Sequence, residues 1–396
     1  MSGSPTPPPP GAAGGFADPA PRHAFALRLD DELALRLRER HHAASLYGRM
    51  DRDRGHLSRA FVWAAALTAA DAEQLVASGL AQFRRGDGWQ ADLCWRGEVV
   101  GSMGLHYLHG AGGSTEVGYW LAAAYEGRGL LTRALRGLQR HFFEARGLGR
   151  VAIGLVPGNA RSEAVVRRLG YAPEAVLRRA HLAPQGVTDL AFFGLAREAW
   201  LASGGSGAAA GPLPLPRFAL RVDDEVQLAL FERDDVEALH ALVVAHHGHL
   251  APWLPWAQAP TLAGTRGFVE GRALPAIAEA DGLEAGIWWR GRLVGSIGIH
   301  GVQRQPLRGS IGYWLAADAQ GRGVVTRAVR ALLAKAFEDL GFERVDVRAD
   351  VANARSRAVP ERLGFGFEGV LRRAACDGRR YVDHAVYGLL REEWRG

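Results

Sequence analysis

Two spacing rules alternate along this chain. Short apolar runs, which read as buried strands, alternate with stretches where apolar residues recur every three or four positions, which read as one-sided helices. In the second half Asp234 to Val244 has the helical spacing. Ile287-Trp288-Trp289, the turn Arg290-Gly291 and the run Leu293 to Ile299 then predict a β-hairpin. The stretch GYWL from Gly312 predicts the end of a buried strand, and Val325, Val329, Leu332, Ala336 and Leu340 predict a helix with one buried face closed by Gly341. Val345 to Val347 predicts a strand, followed by a short helix and a hairpin ending in Ala385 to Leu390. The first half repeats the order: Leu93-Cys94-Trp95, the turn Arg96-Gly97, Val99 to Leu105, then Leu131, Leu135, Leu138, Phe142 and Gly147, then Val151 to Leu155. The succession predicts an α/β fold of the mixed α+β kind, not a doubly wound one.

The repetition is literal in places. Gly118 to Ala134 reads GYWLAAAYEGRGLLTRA and Gly312 to Ala328 reads GYWLAADAQGRGVVTRA, identical at GYWLAA, GRG and TRA. FALR occurs at Phe25 and again at Phe218, each time followed by an acidic DDE. A period near 194 residues is too long for a solenoid repeat and predicts two tandem domains. Their expected limits are 21–200 and 218–396. Residues 1–20, rich in proline and glycine, are expected to be disordered, and 201–217 reads as a glycine, serine and proline linker.

Composition narrows the class. The 396 residues are 48% hydrophobic and 23% charged, as in ordinary globular proteins, and no apolar run approaches the roughly 18 residues of a membrane span. The N-terminus lacks the basic start and apolar segment of a secretion signal. Cys94 and Cys376 are the only cysteines and occupy non-equivalent places, which excludes a disulfide framework or cysteine zinc site and fits a reducing cytoplasm. The net charge of +6 is not gathered into a lysine or arginine block, so no nucleic-acid partner is expected, and no metal-ligand spacing appears.

The chemistry sits at two places in each half. The first is a strand, a glycine turn and a helix start: Gly127-Arg128-Gly129 before Leu130, Leu131 and Thr132, and Gly321-Arg322-Gly323 before Val324, Val325 and Thr326. The first amides of a helix have no internal partner, so this arrangement suits a pyrophosphate. The second is the short helix opening NARS, at Asn159 and Asn353. Asparagine caps helices well, and Ser162 and Ser356, three residues on, share its face. Pro360 removes one helical hydrogen bond and is expected to bend the second copy.

The paired motifs GYWL, GRG, TRA and NARS resemble the GNAT superfamily of acyl-CoA-dependent N-acyltransferases, nearest the RimJ/RimL-like branch that acetylates ribosomal-protein N-termini. The resemblance covers roughly 25–200 and 218–394. It implies two tandem GNAT-like domains, each a mixed central sheet flanked by helices. Acetyl-CoA or another acyl-CoA is the implied co-substrate, with no metal. Its pyrophosphate would rest on Gly127 to Thr132 and Gly321 to Thr326, and its pantetheine arm would run beside Trp120-Leu121 and Trp314-Leu315 and bond to Asn159 and Asn353. Gln320 fits the family signature, whereas Glu126 places a carboxylate near that pyrophosphate. Leu131 and Val325 stand where the signature has glycine or alanine. Val166 and Pro360 stand where many relatives carry a tyrosine acid, and the branch's serine, matched by Ser162 and Ser356, takes that role. For a general base, His181 aligns with a glutamate of the branch while Ala375 fills the other copy; Asp189 and Asp383 are further candidates. Glu116, whose counterpart is Ser310, and the loop from His249 to Trp256 are candidates for the acceptor side. Trp253, Trp256, Trp288 and Trp289 are expected near its groove, and the loop His56 to Trp63 lacks the prolines.

The expected activity is therefore acyl transfer, acetyl by analogy, to a primary amine of a protein N-terminus or a small molecule, by direct attack in a ternary complex. Two alternatives of other classes stand beside it: one half, the first, as a non-catalytic scaffold or interaction module, and a CoA-binding sensor without turnover. A monomer with pseudo-symmetric halves or a homodimer is expected.

Overall fold

A computed structural model describes residues 23–109, 113–205, 217–279, 281–376 and 381–396. The expected disordered start and most of the expected linker lie outside the described residues.

The first half contributes β1 (Ala26–Arg28), β2 (Leu33–Leu37), β3 (Gln90–Trp95), β4 (Glu98–Leu108), β5 (Ser114–Leu121), β6 (Arg150–Leu155), β7 (Ala172–Ala183) and β8 (Gly186–Ala196). The second contributes β9 (Ala219–Arg221), β10 (Val226–Leu230), β11 (Leu283–Trp289), β12 (Arg292–Arg304), β13 (Leu307–Leu315), β14 (Arg344–Asp350), β15 (Gly366–Cys376) and β16 (Tyr381–Leu390). Neighbouring strands are antiparallel except β5 with β6 and β13 with β14. The two sheets are one: β1 pairs with β9 through Ala26 and Ala219, giving the order β7-β8-β6-β5-β4-β3-β2-β1-β9-β10-β11-β12-β13-β14-β16-β15. Helices cover both faces, so β2 is buried at all its positions, as in a sheet between two layers.

The expected hairpins form at the expected turns. Arg96 and Gly97 have φ of 51° and 81°, and Arg290 and Gly291 have 52° and 75°. A two-residue turn that matches strand twist needs positive φ at both positions, which glycine supplies freely. Each arginine is held there by stacking, Arg96 over Trp95 at 4.8 Å and Arg290 over Trp289 at 4.9 Å.

The helices Leu130–Arg140 and Val324–Ala334 bury the stripe the spacing predicted, but rotated. Leu130 and Ala134, and likewise Val324 and Ala328, join it, while Leu131 and Val325 are half-buried. The arginine of TRA explains why DDE is also duplicated. Arg133 binds Asp30 at 2.8 Å and Glu32 at 2.9 Å, and Arg327 binds Asp223 at 2.8 Å, tying each helix to the turn before β2 or β10. Gly147 and Gly341, with φ of 63° and 77°, end these segments as expected.

The halves meet pseudo-symmetrically. Glu39 and Glu232 occupy equivalent places, and each takes a cation from the other half: Lys335 at 2.8 Å from Glu39, and Arg146 on Glu232. Phe218 stands edge-on to Phe83 and Trp89, with ring centres 6.2 and 5.5 Å apart. One apolar core therefore runs from Phe25 and Leu35 into Phe218 and Leu228. Among the described residues no helix is long and apolar enough to cross a membrane.

Candidate functional site

Each half opens a groove where its parallel strands part. β5 pairs with β6 only from Ser114 to Glu116, and β13 with β14 only from Arg308 to Ser310. Beyond that, β6 and β14 continue against β8 and β16, and Val117 to Leu121 and Ile311 to Leu315 keep a strand partner on one side, β4 or β12. The other edge, including Trp120-Leu121 and Trp314-Leu315, is an open sheet edge of the kind that can take an extended segment as an added strand.

The glycine turns stand at the end of this groove. Gly127, Gly129, Gly321 and Gly323 all have φ between 70° and 73°, and Gly129 and Gly323 are the caps of their helices. Neither helix start has a side-chain cap. A Cβ on any of the four would meet nothing within 4 Å, so the glycines serve backbone shape and open space. Cations surround the turn. Arg128 lies 5.6 Å from the Trp95 ring centre and Arg322 5.1 Å from that of Trp289. Arg168 reaches Thr132 Oγ1 at 3.4 Å and Arg362 reaches Thr326 Oγ1 at 3.2 Å. These four arginines at the open helix starts make both sites fit a pyrophosphate, and sequence reading had not singled out Arg168 or Arg362 for it. Glu126 is ion-paired with Arg161, which reduces the charge it presents; in the second half Gln320 accepts from Arg355 at 2.8 Å and contacts His249 Nε2 at 2.8 Å.

Asn159 and Asn353 are helix caps: each Oδ1 accepts from the amide of Ser162 or Ser356 at 3.1 Å. The second serine is held twice. Pro360 has no N–H to offer the carbonyl four residues back, and Tyr313 donates its hydroxyl to that Ser356 carbonyl at 2.9 Å. Burial pushes the Tyr313 phenol up to about 12, so it stays protonated as a donor. In the first half Val166 keeps its N–H, and the buried Tyr119 hydroxyl has no hydrogen-bond partner. The copies should respond differently to loss of that oxygen. Tyr313→Phe orphans a carbonyl and should cost about 1–2 kcal/mol, whereas Tyr119→Phe removes an unsatisfied group and should be within about 0.5 kcal/mol of neutral, as read by urea unfolding.

A cavity of ≈ 560 Å³ opens in the second half beside the groove. Leu239, Val243, Leu254, Trp256, Phe268 and Trp314 supply apolar wall; Arg272, Glu284 and His300 form a polar end next to Gly312 and Tyr313. Glu284 Oε1 lies 3.0 Å from both Arg272 Nε and His300 Nδ1. None of these three was singled out from the sequence; the repeated strand positions of His106 and His300 were the available signal. Trp256 is in the cavity wall, 5.9 Å from the Trp314 ring. Trp253, Trp288 and Trp289 are not in that wall. Trp288 lies under Arg217 and Trp289 under the turn arginine Arg322.

The remaining candidates have other neighbours. Asp189 and Asp383 accept the amides of Arg179 and Arg373 at 2.9 and 2.8 Å, residues with φ of 51° and 53°, and so brace equivalent bulges in the outer hairpins. His181 lies on β7 opposite Thr188, and among the described residues no hydrogen bond joins it to Ser162. Glu116 sits on β5 at the last residue paired with β6, opposite Ala152.

The family model for the GNAT acetyltransferase domain matches twice, at residues 32–172 and 225–366, together more than half of the chain. The chain belongs to the GNAT acetyltransferase family. "Putative ribosomal N-acetyltransferase YdaF" of Bacillus subtilis is 36% identical over 180 residues, 45% of this chain and 98% of the relative. The ribosomal-protein-serine acetyltransferase of Escherichia coli is 25% identical over 172 residues, 43% of this chain and 96% of the relative. A solved structure of a probable acetyltransferase, 35% identical, superposes with a TM-score of 0.43 over 45% of this chain and 99% of its own. One GNAT relative is thus as long as one half here. Acetyl-CoA is the family's acetyl donor, and the protein is an N-acetyltransferase of this type.

Proposed function

We propose that the protein transfers the acetyl group of acetyl-CoA directly to a primary amine, and that the second half carries the turnover. The cavity between the open edge of β13 and the aromatic loop at Trp256 is the observation that supports this: it adjoins the place for the thioester and is walled for an acceptor. The pyrophosphate rests on the amides of Gly321 to Thr326, and the arm pairs along Trp314 and Leu315. A neutral amine attacks the thioester carbon, the C–N bond forms and the C–S bond breaks. The thiolate takes a proton from the Ser356 hydroxyl, which regains one from the new C–N nitrogen. Backbone amides at the strand edge polarise the carbonyl in the meantime.

The acceptor is a protein N-terminus, by analogy with the ribosomal-protein-serine acetyltransferase, or a small amine. Ser356→Ala should lower kcat about 10²-fold while leaving acetyl-CoA affinity within about 2-fold. Steady-state rates beside calorimetric titration check this; an unchanged kcat removes the serine from the reaction. In the first half the cofactor features are kept, while Gln90 stands where the second half has Glu284. That substitution favours a second reading for this half, a cofactor-binding scaffold. A protein that binds acetyl-CoA and releases no thiol with any amine would be a sensor instead.

A further inference from the structure

The halves differ by one residue inside one helix. The helix Ala69–Arg85 is α-helical throughout, capped by Thr68 and ended by Gly86. Its counterpart, capped by Thr261, runs from Leu262 to Glu279, one residue longer, and passes through a π turn at Val269–Ala273. A single π turn absorbs one inserted residue and rotates the remainder of the helix about its axis. Arg272 lies in this turn and donates through Nε to Glu284 Oε1 at 3.0 Å. At the corresponding turn of the first half stand Ser78 and Gly79, and a Cβ on Gly79 would lie 2.9 Å from the Gln90 Cβ. The insertion thus brings a cation to a carboxylate that the first half does not have.

Glu284 is on β11 opposite Gly298, as Gln90 is on β3 opposite Gly104, and its side chain is only 4% exposed. His300 lies over β13: a Cβ on Gly312 would be 3.0 Å from its Nε2. The missing side chain makes room for the ring and sets Nε2 against Gly312, which lines the cavity together with Tyr313 and Trp314. Nδ1 has two neighbours, Glu284 Oε1 and the Arg272 terminal nitrogen, each at 3.0 Å. A neutral ring can carry its proton on Nδ1 and give it to the carboxylate, and that charge-assisted bond is the stronger of the two. The half-exposed guanidinium can turn its terminal nitrogen to water. Nε2 then holds a lone pair on the side of Gly312, itself a residue of the cavity wall. In the first half His106 has the same place over Gly118, at 2.9 Å, but Gln90 donates to Gln82 and to the Leu105 carbonyl instead, each at 3.2 Å.

We propose that His300 is the general base of the second half, with Glu284 and Arg272 as its positioning residues, and that the acceptor is a primary amine on an apolar or aromatic body. This rests on the transferase reading above. The body fits the aliphatic and aromatic wall, and the ammonium head is drawn to the carboxylate end and to the faces of Trp256 and Trp314. An alkyl ammonium with a pKa near ~10.4 has well under a hundredth of its molecules neutral at pH 7, so a base has work to do there. His300 takes one proton from the ammonium and later gives it to water; the neutral nitrogen attacks, and its second proton goes by way of Ser356 to the CoA thiolate.

The test measures kcat and kcat/KM from pH 5.5 to 9.5 for the full chain with acetyl-CoA. The acceptors are 2-phenylethylamine, a hexapeptide beginning with phenylalanine and one beginning with serine. Wild type should favour the aromatic amine or the phenylalanine peptide at least about 10-fold over the serine peptide, the larger of the two identifying the source, and kcat should rise with pH and level off within the range measured. His300→Gln should lose about 10²-fold or more in kcat, keep the acetyl-CoA KM, and keep climbing to pH 9.5. His300→Gly should regain rate with added imidazole. Glu284→Gln should lower kcat about 10-fold while leaving the acetyl-CoA KM unchanged, because it loosens the ring that His300 presents and touches no cofactor group. An unchanged rate and pH profile in His300→Gln overturns the base, and preference for the serine peptide overturns the acceptor class with the transferase reading intact. Failure of wild type to bind acetyl-CoA would instead overturn that reading.

Discussion

Gly323→Asp should abolish acetyl-CoA binding in the second half and lower turnover at least about 10³-fold, with little loss of stability. Gly323 caps the helix Val324–Ala334 with φ of 70°, and no atom lies within 4 Å of the place its Cβ would take. The new side chain therefore meets no clash. It carries the left-handed backbone cost of about 1–2 kcal/mol, offset in part because aspartate is a favourable helix cap and a favourable charge at a helix start. That compensation is what removes the ligand: the carboxylate takes the amides and the positive field on which a pyrophosphate depends. Calorimetry with acetyl-CoA separates the halves. Wild type should bind two per chain, Gly129→Asp one with turnover kept, and Gly323→Asp one with turnover lost. One equivalent in wild type would show that one half does not hold the cofactor, and turnover lost in Gly129→Asp but kept in Gly323→Asp would move catalysis to the first half.

The parts of this site that were legible are those that lie within one stretch of chain. Strand, glycine turn and helix start are contiguous in Gly312–Ala328, so their order alone predicts the anion site. Asn353 and Ser356 share one turn for the same reason. The two-residue turns at Arg96-Gly97 and Arg290-Gly291 were legible because chain geometry leaves few other uses for that pattern between apolar runs. What escaped needs register. Glu284 and His300 become neighbours only when β11 and β12 pair with Leu283 opposite Ile299, and Arg272 joins them only through the π turn. Trp288 and Trp289 were expected near the acceptor groove together with Trp253 and Trp256, with a core position equally open to them, and Trp289 lies under Arg322. Asp189 and Asp383 were expected just before the last strand of each half, where an aspartate can orient an amine or satisfy a loop, and each accepts a backbone amide at a bulge of its outer hairpin. The joining of both sheets through Ala26 and Ala219 left no mark beyond the repeated FALR.

Lys335→Met should destabilise the protein by about 3–5 kcal/mol. The Lys335 side chain is wholly buried, with its ammonium 2.8 Å from Glu39 of the first half and 2.7 Å from Asp339. Burial pushes its pKa down, but the two carboxylates outweigh burial and leave it above the ordinary lysine value. Burial likewise pushes Asp339 up, and hydrogen bonds from His41 and Lys335 bring it well below the usual carboxylate range. Methionine fills the space and supplies no charge, so both carboxylates are left facing each other across the junction. The loss therefore depends on pH. A carboxyl depressed in the folded state contributes stability above its unfolded pKa, near ~3.9, and loses it as pH falls. In the variant Lys335 no longer lowers Asp339 and only His41 still opposes burial, so Asp339 takes up a proton earlier than in wild type, and the gap between the two should narrow as pH falls from 7 toward 4. Urea unfolding at both ends of that range measures it. The same cost should largely vanish when Glu39→Gln and Asp339→Asn accompany Lys335→Met, because it comes from orphaned charge rather than from a lost attraction. If the triple variant stays as unstable as the single one, the lysine acts by packing between the halves and not by neutralising their carboxylates.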